Sequence, residues 1–249
     1  AHAEVMQFAS RIGLDAGAAM LADELRSGYR GPVLATLGGL PLPHSGSYSG
    51  AELVGPRQET RLDVWVGGES HPYLDGHRID DVPVVPMVLV LEWLVRAARL
   101  CRPELPVVRC EDLEVLRGVR LERFRDGAAP LTICCRQLEN GDKALLAAEL
   151  RDEAGELRYR ATLQLDAARA EEDAAAAVDL GELSTEPWPW RGDEVYREQL
   201  FHREGFQVIR SLEGVSESGG AAVLGGTRDM GWPEGAWQTD PAALDGGLQ

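Results

Sequence analysis

Between Thr60 and Gly67 the apolar residues Leu62, Val64 and Val66 alternate with Arg61, Asp63 and Trp65, the period of a strand with one buried face. Pro86 suits the first turn of a helix, where its missing N–H costs little. Met87–Cys101 (MVLVLEWLVRAARLC) is then apolar on nearly every side for two turns. Such a helix has to be wrapped, most simply by a curved sheet. The strands for it follow at 107–121, 131–139, 143–150 and 157–165, with an Asn-Gly turn at 140 and 141 and a turn at Ala154 and Gly155. In the last strand Leu157, Tyr159, Ala161, Leu163 and Leu165 share one face, so one side is core and the other wet. The pattern predicts an α+β lobe of antiparallel sheet around one helix.

Two regions depart from this pattern. In residues 1–40, Asp15 is an N-cap, 16–27 is helix-forming, Gly28 can stop the helix and 32–37 reads as a strand. One helix and one strand cannot close a core, so 1–40 read as the end of a neighbouring domain, and Ala1 in place of an initiator Met agrees with an excised piece. Turn formers at 41–50 mark a boundary, which puts the first lobe at 41–166. An alanine-rich acidic stretch predicts a connector at 167–190. From 191 to 249 the pattern restarts, with strands at 207–213 and 221–226 and no second long helix. A second lobe is begun and unfinished, and Phe206, Val208, Ile209, Val223 and Leu224 are expected to lie uncovered.

Charge narrows the function classes. Forty-one Asp and Glu against 25 Lys and Arg give a net charge of -16, which leaves no general footprint for nucleic acid or an anionic membrane. The longest nearly apolar run, 82–94, is broken by Glu92 and falls short of the roughly 20 residues that span a bilayer. Cys101, Cys110, Cys134 and Cys135 form no CxxC pair, and the first residues show no basic n-region followed by an apolar stretch, so reduced thiols and a cytoplasmic location are expected.

Two clusters carry chemistry. His71–Pro86 (HPYLDGHRIDDVPVVP) joins a strand to the start of the apolar helix. An acyl carbonyl held at that helix N-terminus would be polarised, and His77 beside it could take the acidified proton. Taken singly, His71 or His77 reads as a hydrogen bonder within a loop, and HxxxxxH lacks a third ligand at zinc spacing. In Asp240–Gln249 (DPAALDGGLQ), Asp245 and Gln249 are four apart, so on a helix Gln249 can orient the Asp245 carboxyl. Taken alone, Asp245 reads more simply as an N-terminal helix carboxylate without chemistry, and Asp-Gly-Gly as only a turn. Glu92 is read as a helix residue facing a sheet edge or hydrogen-bonded to backbone, without chemistry, and Arg117, Arg120, Arg123 and Arg125 as a solvated basic run that an acidic carrier could find.

His77, Asp81 and Pro86 fall at the spacing of the dehydratase motif HxxxGxxxxP, Asp245 and Gln249 on its DxxxQ partner, and Gly205–Gln207 on a GlyProxPheGln segment. Over 41–249 the chain therefore resembles the dehydratase domains of polyketide and polyunsaturated fatty acid synthases; Pro83–Met87 and Phe206–Gly214 point to the polyunsaturated type. Residues 1–38 resemble the closing helix and strand of a ketoreductase domain. The resemblance implies a double hot dog fold with the active site between its lobes. His77 would remove the proton beside a thioester and Asp245 would protonate the departing 3-hydroxyl. Gln249, Asp81, Pro86 and Met87 would support them. The substrate would be a 3-hydroxyacyl chain on acyl carrier protein and the product its trans-2-enoyl thioester, with no cofactor or metal and with a homodimer left open.

Two departures stand out. Asp81 replaces the motif Gly, tolerable in the left-handed region but expected to crowd the pocket. Leu200–Phe206 (LFHREGF) lacks the family's Tyr, and Arg203 and Glu204 disturb its register; His202 either replaces that Tyr or lies on the surface, the simpler expectation. A catalytically silent lobe that positions acyl chains or neighbouring domains, and a hot dog thioesterase using Glu92, are the competing readings.

Overall fold

The computed structural model describes residues 47–54, 59–103, 105–138, 144–168, 186–216, 219–233 and 237–249, all within the unit Thr36–Gln249. The readings of 1–40, of the Asn-Gly turn and of most of the connector lie outside these residues. Strands β1 (Ser47–Val54) and β2 (Glu59–Gly67) precede a 3-10 turn at Pro72–Gly76 and a small hairpin, β3 (Arg78–Ile79) and β4 (Val82–Pro83). Helix α1 (Met87–Cys101) has the predicted limits, with Pro86 as its N-cap. Strands β5 (Val107–Val115), β6 (Ala128–Leu138), β7 (Ala144–Arg151) and β8 (Leu157–Leu165) follow.

These strands make one antiparallel sheet in the order β1-β2-β6-β7-β8-β5. The predicted alternation holds: Leu62, Val64 and Val66, Leu131, Ile133 and Cys135, Leu146, Ala148 and Leu150, and Tyr159, Ala161, Leu163 and Leu165 are all buried. Helix α1 touches β2, β5, β6, β7 and β8, and Leu89, Val90, Trp93, Leu94, Ala97 and Ala98 fill the space between. A helix apolar all round is stable here because the sheet covers it on most sides. Among the described residues no helix is long and apolar enough to cross a membrane.

The stretch predicted as strand from 107 to 121 leaves the sheet at Val115. Leu116 and Arg117 N–H both donate to the Arg158 carbonyl, which ends the ladder. Arg120 then bridges Val84, the Val119 carbonyl accepts from Val85 N–H, and Leu121 N–H donates to Pro83. The loop thus pairs with the segment running from β4 into α1.

Beyond the connector come α2 (Gly192–Glu198), the antiparallel pair β9 (Ile209–Ser216) and β10 (Gly219–Leu224), and α3 (Pro241–Gly246). Glu186 bridges Val215, so the chain already borders β9 there. Phe206 and Val208, expected to be uncovered, are fully buried in a core shared with Tyr73, Trp232 and Ala242, whereas Val223 is half exposed. Trp232 supplies the cover: it stacks on Tyr73 with centroids 4.1 Å apart, lies 4.7 Å from Phe206, and its indole N–H donates to the Gly205 carbonyl at 2.9 Å.

Candidate active site

His77, His202 and Asp245 come from three separate stretches and are all buried. One nitrogen or oxygen from each lies within 4.8 Å of the other two.

The 3-10 turn delivers His77. It ends at Gly76, where a Cβ would sit 2.4 Å from the Glu204 carbonyl oxygen, so glycine is required for the His202–Phe206 segment to approach. Arg203 N–H donates to the Gly76 carbonyl at 2.8 Å and fixes that approach. His77 Nδ1 lies 2.8 Å from the Val84 carbonyl, which can only accept. Nδ1 therefore carries the proton and Nε2 presents a bare lone pair. Burial lowers the His77 pKa below the ordinary imidazole value, opposed by the Val84 carbonyl and the Asp245 carboxyl, so the ring is neutral near pH 7.

Asp245 rides on α3, whose N-cap Asp240 accepts from Ala243 N–H at 3.1 Å and Thr227 N–H at 3.0 Å. Gln249 lies just past the helix, and its Nε2 donates to Asp245 Oδ2 at 2.7 Å and to the Phe206 carbonyl at 2.9 Å. Its Oε1 accepts from the Tyr196 hydroxyl at 2.6 Å, and that hydroxyl accepts from Ile209 N–H at 2.8 Å. The chain of bonds fixes which way the Gln249 amide faces. Burial raises the Asp245 pKa above the usual carboxylate value, against the pull of the Gln249 donor and of His77.

Tyr196 was not singled out in the sequence. The segment matching the family motif holds no Tyr, whereas Tyr196 on α2 reaches the site through Gln249. His202 corrects the surface expectation: it is 7% exposed, its Nε2 is 3.4 Å from Asp245 Oδ2, and its ring centroid is 5.3 Å from that of His77. Burial, with His77 beside it, lowers its pKa to about 4. Phe201, half exposed, stacks on His202 at 4.1 Å and meets the His77 ring edge-on.

Asp81 corrects the crowding expectation. Asp80 and Asp81 form the two-residue β3–β4 turn with φ of 49° and 62°, so the motif position is left-handed, as a type I′ turn demands. The Asp81 side chain is 84% exposed and pairs with Arg203. The hydrogen bond and charge of Arg203 hold its carboxyl below the usual range. The two departures from the motif therefore meet each other.

His71 is not in the cluster. It is fully buried, accepts from or donates to Ser70 Oγ at 2.8 Å through Nδ1, and sets its ring against Trp93. Burial and the Arg96 charge depress its pKa to about 3, so it is a neutral core histidine. Pro86 and Met87 start α1. The Pro86 carbonyl accepts from Leu89 and Val90, which leaves the Met87 and Val88 amides ahead of the helical ladder.

Glu92 is wholly buried and engaged. It pairs with Arg96 and accepts from Gln238 N–H at 3.0 Å, Thr239 N–H at 2.7 Å and Thr239 Oγ1 at 2.7 Å. It thereby ties α1 to the residues just before α3. Arg117, Arg120 and Arg125 are exposed and paired with Glu156, Glu122 and Asp75.

Residues 50–133 match the polyketide synthase dehydratase domain family. A comparison with curated proteins finds no match. Among solved structures, the dehydratase domain of a mycocerosic acid synthase-like polyketide synthase is similar at 20% identity and a TM-score of 0.57, over 86% of this chain and 71% of that one. The dehydratase domain of the CurF module of the curacin polyketide synthase is similar at 16% identity and a TM-score of 0.55, over 82% and 72%. A dehydratase structure from work on the borrelidin and fluvirucin synthases gives 19% and 0.54, over 85% and 74%. The fold is the α+β hot dog fold of polyketide synthase dehydratase domains, an antiparallel sheet around a helix, with part of a second lobe.

Proposed function

We propose that this chain is a hydro-lyase that converts a 3-hydroxyacyl thioester on acyl carrier protein to the trans-2-enoyl thioester within a multidomain polyketide or polyunsaturated fatty acid synthase, next to a ketoreductase domain. The observation that carries this is the pairing of a bare His77 Nε2 with a buried, Gln249-oriented Asp245 carboxyl. His77 Nε2 takes the C2 proton, the C2–H electron pair forms the C2=C3 bond, and the C3–O bond breaks as Asp245 gives its proton to the hydroxyl. Water leaves and no electrons are exchanged. The Met87 and Val88 amides are the nearby candidates for holding the thioester oxygen at the α1 N-terminus.

The opposite pKa shifts favour this division. Elimination needs the proton on Asp245 and the lone pair on His77, and burial raises the first pKa while lowering the second. The thioesterase reading loses its acid, because Glu92 is occupied by Arg96, Gln238 and Thr239. Incubation with a 3-hydroxyacyl thioester on carrier protein, with products identified by mass spectrometry, separates the readings. An enoyl thioester supports dehydration, a free acid supports hydrolysis, and unchanged substrate supports a silent positioning domain.

A further inference from the structure

Three buried polar groups, His77, His202 and Asp245, bring one nitrogen or oxygen each within 4.8 Å of the others, and the mechanism above uses only two of them. Three atoms no more than 4.8 Å apart enclose a point within about 2.8 Å of each. That is hydrogen-bond distance to an oxygen; the same three atoms are also close enough together to take a metal ion, and the test below decides between the two. Two bonds fix the remaining valences around this point: Gln249 holds Asp245 Oδ2 and the Val84 carbonyl holds His77 Nδ1. His202 Nε2, 3.4 Å from Asp245 Oδ2, faces an acceptor too distant for a strong bond and is placed to share its proton with a second oxygen. Phe201, half exposed and stacked on His202, puts solvent one ring away.

We infer that His77, His202 and Asp245 cradle a single oxygen, and that His202 Nε2–H holds the substrate's 3-hydroxyl before elimination and the product water after it. The inference rests on the dehydratase reading and deepens it. His202 keeps its proton throughout: the hydroxyl receives its proton from Asp245, the C2 proton goes to His77, and no further reactant is needed. Neutrality suits this task, since a neutral imidazole with Nε2–H donates without competing as the base, and burial beside His77 keeps it uncharged.

The test is binding without turnover. A 3-hydroxyacyl pantetheine amide and its counterpart lacking the hydroxyl are titrated into the parent protein, His202→Phe and His202→Gln. The parent is expected to prefer the hydroxyl ligand by about five- to tenfold, the scale of one net hydrogen bond. His202→Phe is expected to bind both alike, with its affinity for the deoxy ligand unchanged, and His202→Gln, which keeps an N–H donor, to retain most of the preference. If His202→Phe fails to fold, His202→Asn stands in for it: its shorter amide is expected to lose what Gln keeps. Full preference in His202→Phe, or equal preference in Asn and Gln, overturns the assignment. So does stoichiometric Zn²⁺ binding to the parent that vanishes in the His202 variants, because the three groups would then hold a metal. If the parent binds neither amide, the dehydratase reading falls and this inference with it.

Discussion

Tyr196→Phe removes one oxygen that touches no substrate and yet bears on the acid. The hydroxyl accepts from Ile209 N–H at 2.8 Å and donates to Gln249 Oε1 at 2.6 Å, so its loss leaves one backbone donor and one amide acceptor without partners. Each such group costs about 1–3 kcal/mol when buried; both are half-buried here, so unfolding free energy is expected to fall by about 2 kcal/mol. The effect on catalysis is smaller than removal of an acid would give. Gln249 Nε2 keeps the Phe206 carbonyl at 2.9 Å, which retains one anchor while freeing the amide to turn. A roughly tenfold fall in kcat, about 1.4 kcal/mol, is expected, with KM little changed. The pH profile gives the sharper readout. The Gln249 donor lowers the Asp245 pKa, so weakening it lets that pKa rise further, the carboxyl stays protonated to higher pH, and the alkaline limb of kcat moves up. Steady-state dehydration from pH 5 to 9, with urea unfolding in parallel, measures both. A destabilised variant whose kcat and alkaline limb match the parent would refute the claim that Tyr196 acts on Asp245 through Gln249.

Asp81→Gly relieves a left-handed non-glycine residue and loses an exposed ion pair worth little, so a thermal midpoint close to the parent's and dehydration within about twofold of it are expected; a tenfold loss of activity would put the carboxylate to use in the site. His71, whose pKa falls from 6.5 to about 3 on folding, contributes stability that is full above pH 6.5 and is lost as the pH drops toward 3. Urea unfolding of His71→Gln between pH 6.5 and 4.5 is therefore expected to show a slope shallower than the parent's by about 1 kcal/mol per pH unit, and equal slopes would deny the buried neutral ring. Thr239→Val deletes one of the donors on Glu92 and is expected to cost about 1–2 kcal/mol, whereas Glu92→Gln, which turns an amide toward backbone N–H groups, is expected to cost about 3–5 kcal/mol. Equal thermal stability of the two variants would contradict the clamp.

The first lobe was legible because its periods are local. Alternation in β2 and β8 and the all-round apolar α1 each follow from one stretch of chain, and the structure returns the limits of α1 unchanged. The early end of β5 was not legible, since Val119–Leu121 keep an apolar rhythm while pairing with Pro83–Val85, a partner that sequence spacing does not reveal. In the site, the Asp245–Gln249 bond follows from four-residue spacing. The burial of His202 depends on Gly76 admitting the Arg203–Phe206 backbone, a contact between segments more than a hundred residues apart. Tyr196 was not legible because it acts on Gln249, 53 residues on, and has no distinctive neighbour; Glu92 was legible as a helix residue bonded to backbone, but not its partners Gln238 and Thr239, which lie far along the chain. Asp81 was legible as left-handed; where its carboxylate goes was set by Arg203, which read only as a disturbance of the motif.

Removal of water from a 3-hydroxyacyl thioester by His77 and Asp245 acting together is open to direct test. The direct measurement is loss of one water mass from a carrier-bound 3-hydroxyacyl chain, followed over time for the parent, His77→Ala and Asp245→Asn under identical conditions. The parent is expected to give an enoyl thioester and each variant to react more slowly by roughly 10²–10⁴, with both variants as well folded as the parent by circular dichroism. Water loss at the parent rate in either variant, or none from a folded parent, would contradict it.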